Sequence, residues 1–530
     1  MAARGNTKRG WLAGIILALL TLRMGSSTSS GIAQQQVPAT QSGLSVGGGG
    51  QGRTTLHVAS QLVVLDVVVT QKDSALRTNL SKEDIHVTEN GVAQKILYFE
   101  SPAEHHIPAG TEIHSTNDLE SRAPQAPVSV MVLDELNTPF NDMGFARYAL
   151  EKYLNAQPNE LSAPTMLLAV SDEHLQVLCD YTQDRSVILN ALKKHLASYP
   201  WQVQRNPNRI RQMIQSLGAL EQVAQATAGH PGHKNLFWVG HGFPGVELSG
   251  PNIDQAAATS LKAAVEQAVD MLRDDRMTLY TIDPTALSST VSTTVDDDSG
   301  PLGDIVYPAA DPFLGDVNFV TLAKASGGKS FFSRNDIDAE IEESARDGVN
   351  YYTLAYRPEL QSDQERPYRK IRVTFTQPGL HANLRDGYYT TESVNSNPAA
   401  RRATYDVDAA VENTMVYTGL EVHAVERPEA PGNFVVGISE NQLTWNDEGG
   451  GQSSKLTLAV ADIDRKGRIL RRVTEDVTAR RSTEAQVASR PQLIRTEINL
   501  PCVPGTSTVR FVVRSAANGR IGSASLSVPR

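Results

Sequence analysis

Asp134, Asn137 and Thr138 fall together at the end of one apolar run, and His241 follows another inside Gly240-His241-Gly242. A carboxylate, an amide, a hydroxyl and an imidazole can between them hold a cation or a partner's polar group. Other histidines stand at His105, His106 and His114, with Glu104, and at His230 and His233. Imidazole suits zinc or copper, but neighbouring histidines in a polar connector read as a solvated loop, and no acidic ligand stands at regular spacing near His230, His233 and His241. His230, His233 and His241 are expected around one strand-end region. Asp296-Asp297-Asp298-Ser299-Gly300 lacks the alternation and closing Glu of a calcium loop and reads as a solvated acidic loop. The stretch Gly240–Gly245 lacks the Gly-Lys-Ser/Thr ending of a phosphate-binding P-loop and reads as a tight turn. Trp201, Trp238 and the pairs Tyr351-Tyr352 and Tyr388-Tyr389 read as core and strand-surface aromatics.

The chain that must position these residues has 530 of them, enough for about three or four domains. Its formal net charge of −10 argues against a nucleic-acid partner, because phosphate binding needs a basic face. Arg4, Lys8 and Arg9, the apolar run Trp11 to Leu22 and the small residues at Gly31-Ile32-Ala33 read as a signal peptide, residues 1–33. The apolar run is short for a membrane span, which needs about 20 residues. The expected product is therefore exported, periplasmic or secreted, with no membrane span after cleavage. Cys179 and Cys502 cannot build a disulfide framework and are expected unpaired, with an interdomain bridge as the alternative.

Residues 34–53 are polar and glycine-rich and read as a linker. An N-terminal β unit is expected over 54–101, with Asn90-Gly91 as a hairpin turn. From 128 to 390 apolar strands alternate with helical spacings. Val128–Leu133, Met166–Val170, Asn235–Val239, Met277–Ile282, Lys329–Phe332 and Tyr351–Tyr356 read as strands, and His174–Cys179 as an antiparallel edge strand. Strands apolar on both faces and separated by helices imply a doubly wound, mostly parallel α/β sheet covered on both sides. The first helix is expected to bury Phe145, Ala149, Leu150 and Leu154. A long acidic loop covers 284–316. Short strand signals over 404–530 suggest a C-terminal β-sandwich.

Leu133–Phe140 (LDELNTPF), Val239–Gly245 (VGHGFPG), Tyr351–Pro358 (YYTLAYRP) and Pro378–Tyr389 (PGLHANLRDGYY) together resemble the von Willebrand factor type A fold. They are similar in particular to the bacterial VWFA-related acidobacterial domain, over roughly 58–390. The resemblance implies a divalent-cation site at the C-terminal end of the sheet, built from Asp-x-Ser-x-Ser, a Thr and a later Asp. Here Asp134 and Thr138 match, Leu136 replaces the middle Ser, and His241 stands where the later Asp would fall. Magnesium wants oxygen ligands. Two readings follow: a working Mg²⁺ site on Asp134 and Thr138, helped by Glu135 or Asn137, or a degenerate site in which Asp134 caps the strand end and bonds loop amides. The second is the leading expectation, with no cofactor and no catalysis. Asp134, Asn137, Thr138 and His241 would then form a docking face for an unidentified protein partner. The alternatives are a metal-assisted envelope hydrolase using His241, Asp134 and the acidic loop, and a purely structural envelope component.

Overall fold

The computed structural model describes residues 62–72, 75–108, 110–171, 175–196, 209–243, 245–247, 255–284, 316–331, 336–358, 368–389, 398–448, 451–482 and 493–528. The expected signal peptide, the linker, Trp201 and nearly all of the acidic loop lie outside them. No helix among the described residues is long and apolar enough to cross a membrane.

The described chain opens with β1 (Val63–Gln71), β2 (Ile85–Glu89), β3 (Val92–Gln94) and β4 (Ile96–Glu100). Asn90 (φ 49°) and Gly91 (φ 82°) turn β2 into β3, the positive φ pair that an Asn-Gly hairpin requires. The short helix α1 (Thr116–Arg122) then buries Leu119, and Asp180 holds its N-terminus through the Thr116 N–H (2.9 Å) and hydroxyl (2.6 Å).

The α/β portion runs through β5 (Val128–Asp134), α2 (Phe140–Ala156), β6 (Glu160–Val170), β7 (Leu175–Asp184), α3 (Arg185–Lys194), α4 (Arg209–Thr227) and β8 (Lys234–Val239). It continues through β9 (Val246–Glu247), α5 (Gln255–Asp274), β10 (Met277–Ile282), β11 (Asp316–Val317), α6 (Phe319–Ala325), β12 (Ser330–Phe331) and α7 (Ile337–Val349). The six-stranded sheet has the order β12-β10-β8-β5-β6-β7. Its strands are parallel except β7, which pairs antiparallel with β6 at the edge. Every residue of β5 and of β8 is buried, because helices cover both faces. Met131, Leu133, Leu167, Phe237 and Tyr280 point to α2, α3 and α7; Val130, Val132, Leu168, Leu236 and Leu279 point to α4, α5 and α6. This is the doubly wound arrangement. One detail of α2 differs from expectation. Met143, Ala146, Ala149, Leu150, Tyr153 and Leu154 face the core, while Phe145 lies on the exposed side.

The chain then forms β13 (Tyr352–Tyr356), β14 (Tyr368–Phe375), β15 (Leu380–Asn383) and β16 (Gly387–Tyr389). Tyr351–Tyr356 was expected as the last strand of the parallel sheet. It pairs instead antiparallel with β1 and β4, giving the order β15-β1-β13-β4. A second sheet, β16-β14-β2-β3, faces it across a shared core of Leu65, Val67, Ile85, Val87, Leu354, Ile371 and Val373. So 63–100 and 352–389 make one β layer, and the α/β portion is inserted between its halves. The segment 352–389 belongs by pairing to that layer and not to the parallel sheet.

Helix α8 (Pro398–Glu412) precedes β17 (Val422–Glu426), β18 (Asn433–Ser439), β19 (Asn446–Glu448), β20 (Gly451–Ile463), β21 (Ile469–Ser482), β22 (Leu493–Asn499), β23 (Thr508–Ser515) and β24 (Ile521–Ser527). Sheet β17-β18-β22 packs on sheet β19-β20-β23-β24, in which β20 also pairs with β21. Phe434 meets Phe511 edge-on between them, ring centroids 5.2 Å apart. Alternate residues of β20 and β23 point the other way: Ala459, Ala461 and Val512 share a core with Val407, Ala410 and Val411 of α8. That helix had no counterpart in the sequence reading. Cys179 and Cys502 are both free.

At the N-terminal ends of the parallel strands, buried Asp66 of β1 ties the β layer to the α/β portion. Its carboxylate accepts from Arg276 Nη2 (2.5 Å) and Nε (3.1 Å), His233 Nδ1 (2.8 Å) and the Thr353 hydroxyl (3.0 Å). Burial raises its pKa, but the Arg276 and His233 charges outweigh that and hold it far below the usual carboxylate range. Breaking such a pair leaves a buried cation, so Asp66→Asn should cost about 3–5 kcal/mol at neutral pH by urea unfolding. Because the folded pKa is depressed, this stabilisation is complete above the unfolded value of about 3.9 and is lost as pH falls below it. The gap between parent and variant should therefore be flat near neutrality and close in acid; a constant gap at all pH values would refute the assignment.

Candidate functional site

Leu133 pairs with Val239 across the parallel strands β5 and β8, so the loops after both strands open on one rim of the sheet. Asp134 and His241 thus share an end of the molecule. The rim is held from below. Asp134 is fully buried, and its Oδ1 accepts from the N–H groups of Leu136 (3.2 Å) and Asn137 (3.0 Å). Its Oδ2 accepts from the Trp238 indole (2.9 Å) and the Gly242 N–H (2.9 Å). The Asn137 amide donates to both oxygens, at 3.2 and 3.1 Å, and to the Ser216 hydroxyl at 3.0 Å. Burial raises the Asp134 pKa, while the bonds from Trp238, Asn137 and Gly242 oppose the rise. Thr138 is buried too, and its hydroxyl accepts from the His241 N–H at 3.0 Å. Gly240 sits at φ 148°, and a Cβ there would strike the Thr138 hydroxyl and the Asp134 side chain; the closeness of the two loops demands glycine.

Of the expected docking residues, Asp134, Asn137 and Thr138 are therefore turned into one another, and His241 alone reaches the surface, with 27% of its side chain exposed. Its Nε2 lies 3.2 Å from Asp142 of α2 and 3.6 Å from Asp283, the residue after β10. Neither carboxylate was singled out from the sequence. Asp283 had a signal: the residue that follows an apolar parallel strand stands on the rim by construction. On α2, the helix that carries Asp142, Phe140 is 51% and Tyr148 64% exposed, and Phe145 is exposed too. Glu135 turns inward and meets His195 Nε2 at 2.7 Å in a nearly buried pair. The sixty-residue gap between them leaves no sequence signal.

These residues do not fit a magnesium ion. Both Asp134 oxygens are occupied by donors, the Thr138 hydroxyl is engaged, Leu136 is apolar, and a hard cation needs about six oxygens in open geometry. Among the described residues no group of three or more His, Cys, Asp or Glu side chains is placed to hold a metal. The other histidines part company with His241. His230 and His233 precede β8 and lie at the opposite end of the strand, bonded to the Ala126 carbonyl (2.8 Å) and to Asp66. The zinc trio is not formed. His105, expected in a solvated connector, is buried and stacked on Tyr351 with centroids 4.2 Å apart.

Gly240, Gly242 and Gly245 have the interval of a dinucleotide fingerprint, but the loop leads into β9 rather than a helix, and the Gly242 N–H is directed at Asp134. Gly43-Leu44-Ser45-Val46-Gly47 matches a nucleophile elbow but lies outside the described residues.

No protein-family model matches the chain, and no curated protein matches it. Among solved structures it is similar to an aerotolerance-related membrane protein from Bacteroides fragilis, at 12% identity over 41% of this chain and 98% of that one, with a TM-score of 0.25. It is also similar to proximal thread matrix protein 1 of the mussel byssus, at 10% identity over 45% and 49% of the two chains, with a TM-score of 0.26. The SpRpn10 VWA domain matches at 13% identity over 30% and 88%, with a TM-score of 0.16. Likenesses this remote say nothing of what this chain binds. The strand order and the packing on both faces establish the mixed α/β fold directly.

Asp134→Ala should leave the Trp238 indole and the Gly242 N–H without an acceptor, at about 1–3 kcal/mol for each buried orphan. Chemical unfolding reads the loss. A variant as stable as the parent, or a parent that millimolar magnesium stabilises through Asp134, would overturn this account of the rim.

Proposed function

We propose that the chain is an exported protein of the VWFA-related acidobacterial kind whose α/β rim docks a protein partner, with no bridging metal and no catalysis. One observation carries the reading: partly exposed His241 stands between Asp142 and Asp283, the first on the helix that also exposes Phe140, Phe145 and Tyr148, above a sealed Asp134. Aromatic side chains are the commonest anchors of protein interfaces, and two carboxylates beside an imidazole favour a basic group on the partner. The sealed Asp134 gives the rim a fixed shape before any partner arrives, which lowers the ordering cost of binding. The β layer and the C-terminal sandwich then set the spacing and direction of the docking face.

A hydrolase using His241, Asp134 and the acidic loop gains nothing from Asp134, whose oxygens are already taken. Export rests on the N-terminal segment alone, and the mature protein is expected to begin at Gln34.

Capture from an envelope extract by the immobilised full-length mature protein tests the reading. Phe140→Ala combined with His241→Ala should reduce capture of the partner at least tenfold with the melting temperature nearly unchanged, since both groups are surface-exposed. A chelator should leave capture intact. Release by the chelator, or full capture by the double variant, would sink the proposal.

A further inference from the structure

The base of the parallel sheet, opposite the rim, carries a narrow cleft between β1, the end of α5, the start of β10 and the turn before β16. Arg273, Arg276, Arg385, Asp66, Asp270 and Tyr388 are among its walls. Two of the arginines are matched. Arg276 pairs with Asp66, and Arg273 with Asp270 at 2.7 Å and Asp274 at 2.8 Å. Arg385 is not: it makes no ion pair with any carboxylate of the described residues. Its Nη2 donates to the Val64 carbonyl at 2.7 Å, and its buried Nε–H has no acceptor. Arg273, Arg276 and Arg385 thus stand with Asp66, Asp270 and Asp274, and Arg385 is the one whose side chain meets no carboxylate.

A cation removed from water without a counter-charge is costly. Burial, reinforced by Arg273, pushes the Arg385 guanidinium down to about 10, against the opposing pull of Asp66 and Asp274. The orphaned Nε–H is a donor that an anion would satisfy. A guanidinium presents its N–H groups as a fork that matches two oxygens of a carboxylate or phosphate. The neighbouring wall is already stiff: Arg273 lies over the Tyr388 ring at 5.9 Å, and the Tyr388 hydroxyl donates to Glu89 at 2.9 Å. We propose that this cleft binds a small oxyanion, a carboxylate or phosphate group, seated on Arg385. The site is separate from the docking rim and independent of it.

Thermal unfolding of the full chain, titrated at constant ionic strength with inorganic phosphate, acetate, or a short peptide bearing a free or an amidated C-terminus, tests this. Chloride serves as the reference. At least one oxyanion should raise the midpoint by a few degrees in a saturable way. A free peptide acting where its amidated form does not identifies a chain-terminal carboxylate; phosphate acting alone identifies a phosphate group. Arg385→Met should abolish the saturable shift, and Arg468→Gln, an exposed arginine in the turn between β20 and β21, should keep it. No saturable shift in the parent, or an equal shift in Arg385→Met, would overturn the proposal. Should Arg385→Met fail to fold, crystals of the parent soaked in selenate decide the matter: an anomalous peak within hydrogen-bond distance of Arg385 supports it, and its absence there overturns it.

Discussion

A carboxylate buried at the tip of a central strand is stable only if donors surround it, and the rim of this α/β sheet is arranged to supply them. Asp134 gathers peptide N–H groups from its own loop, the indole of Trp238 inside β8, and the Gly242 N–H from the loop beyond. The donors lie on two stretches of chain, so one side chain fixes the relation of two loops more than a hundred residues apart in sequence. Thr138 and the His241 N–H add a second tie, and Gly240 allows the approach. What reaches solvent above this seal is not free to choose its position. His241 stands between Asp142 and Asp283 because its backbone is held from below.

The same physics separates two roles that a sequence pattern merges. A metal-binding rim and a hydrogen-bonded rim both place an aspartate after an apolar strand and a hydroxyl four residues on. The difference lies in what the remaining positions offer. Leu136 removes a ligand, and Trp238 brings a donor to the oxygen that a cation would need. Asp134 as a cap bonding loop amides was legible from the first of these; the indole was not, because Trp238 reads as one more apolar residue in a buried strand.

The α/β architecture is legible in the sequence where strands are apolar on both faces, as in β5 and β8, and where a strand alternates at the sheet edge, as in β7. Sheet membership is not legible in the same way. Tyr352–Tyr356 is as buried as β5, yet its neighbours are β1 and β4. An apolar run states that both faces are covered and not what covers them. Helix α8 was obscured differently. Val407, Ala410 and Val411 carry helical spacing, but the segment is rich in charge and small residues and precedes a long stretch of strand signals. Its small face is explained only by its setting, pressed against Ala459 and Ala461 of β20 where larger side chains would not fit.

The two ends of the parallel sheet carry opposite chemistry, and the insertion of the α/β portion into the β layer accounts for it. At the base, the start of β10 meets β1, and the burial of Asp66 there is possible because Arg276, held at φ 51°, and His233 reach it from the α/β side. Arginines consequently gather at the base, and Arg385 among them meets no carboxylate. At the rim no second layer descends onto the strand ends among the described residues, so acidic side chains such as Asp142 and Asp283 remain partly in solvent around a single imidazole. Joining two layers through a buried ion pair thus places paired arginines at one end of the sheet, while the other keeps its carboxylates partly in solvent.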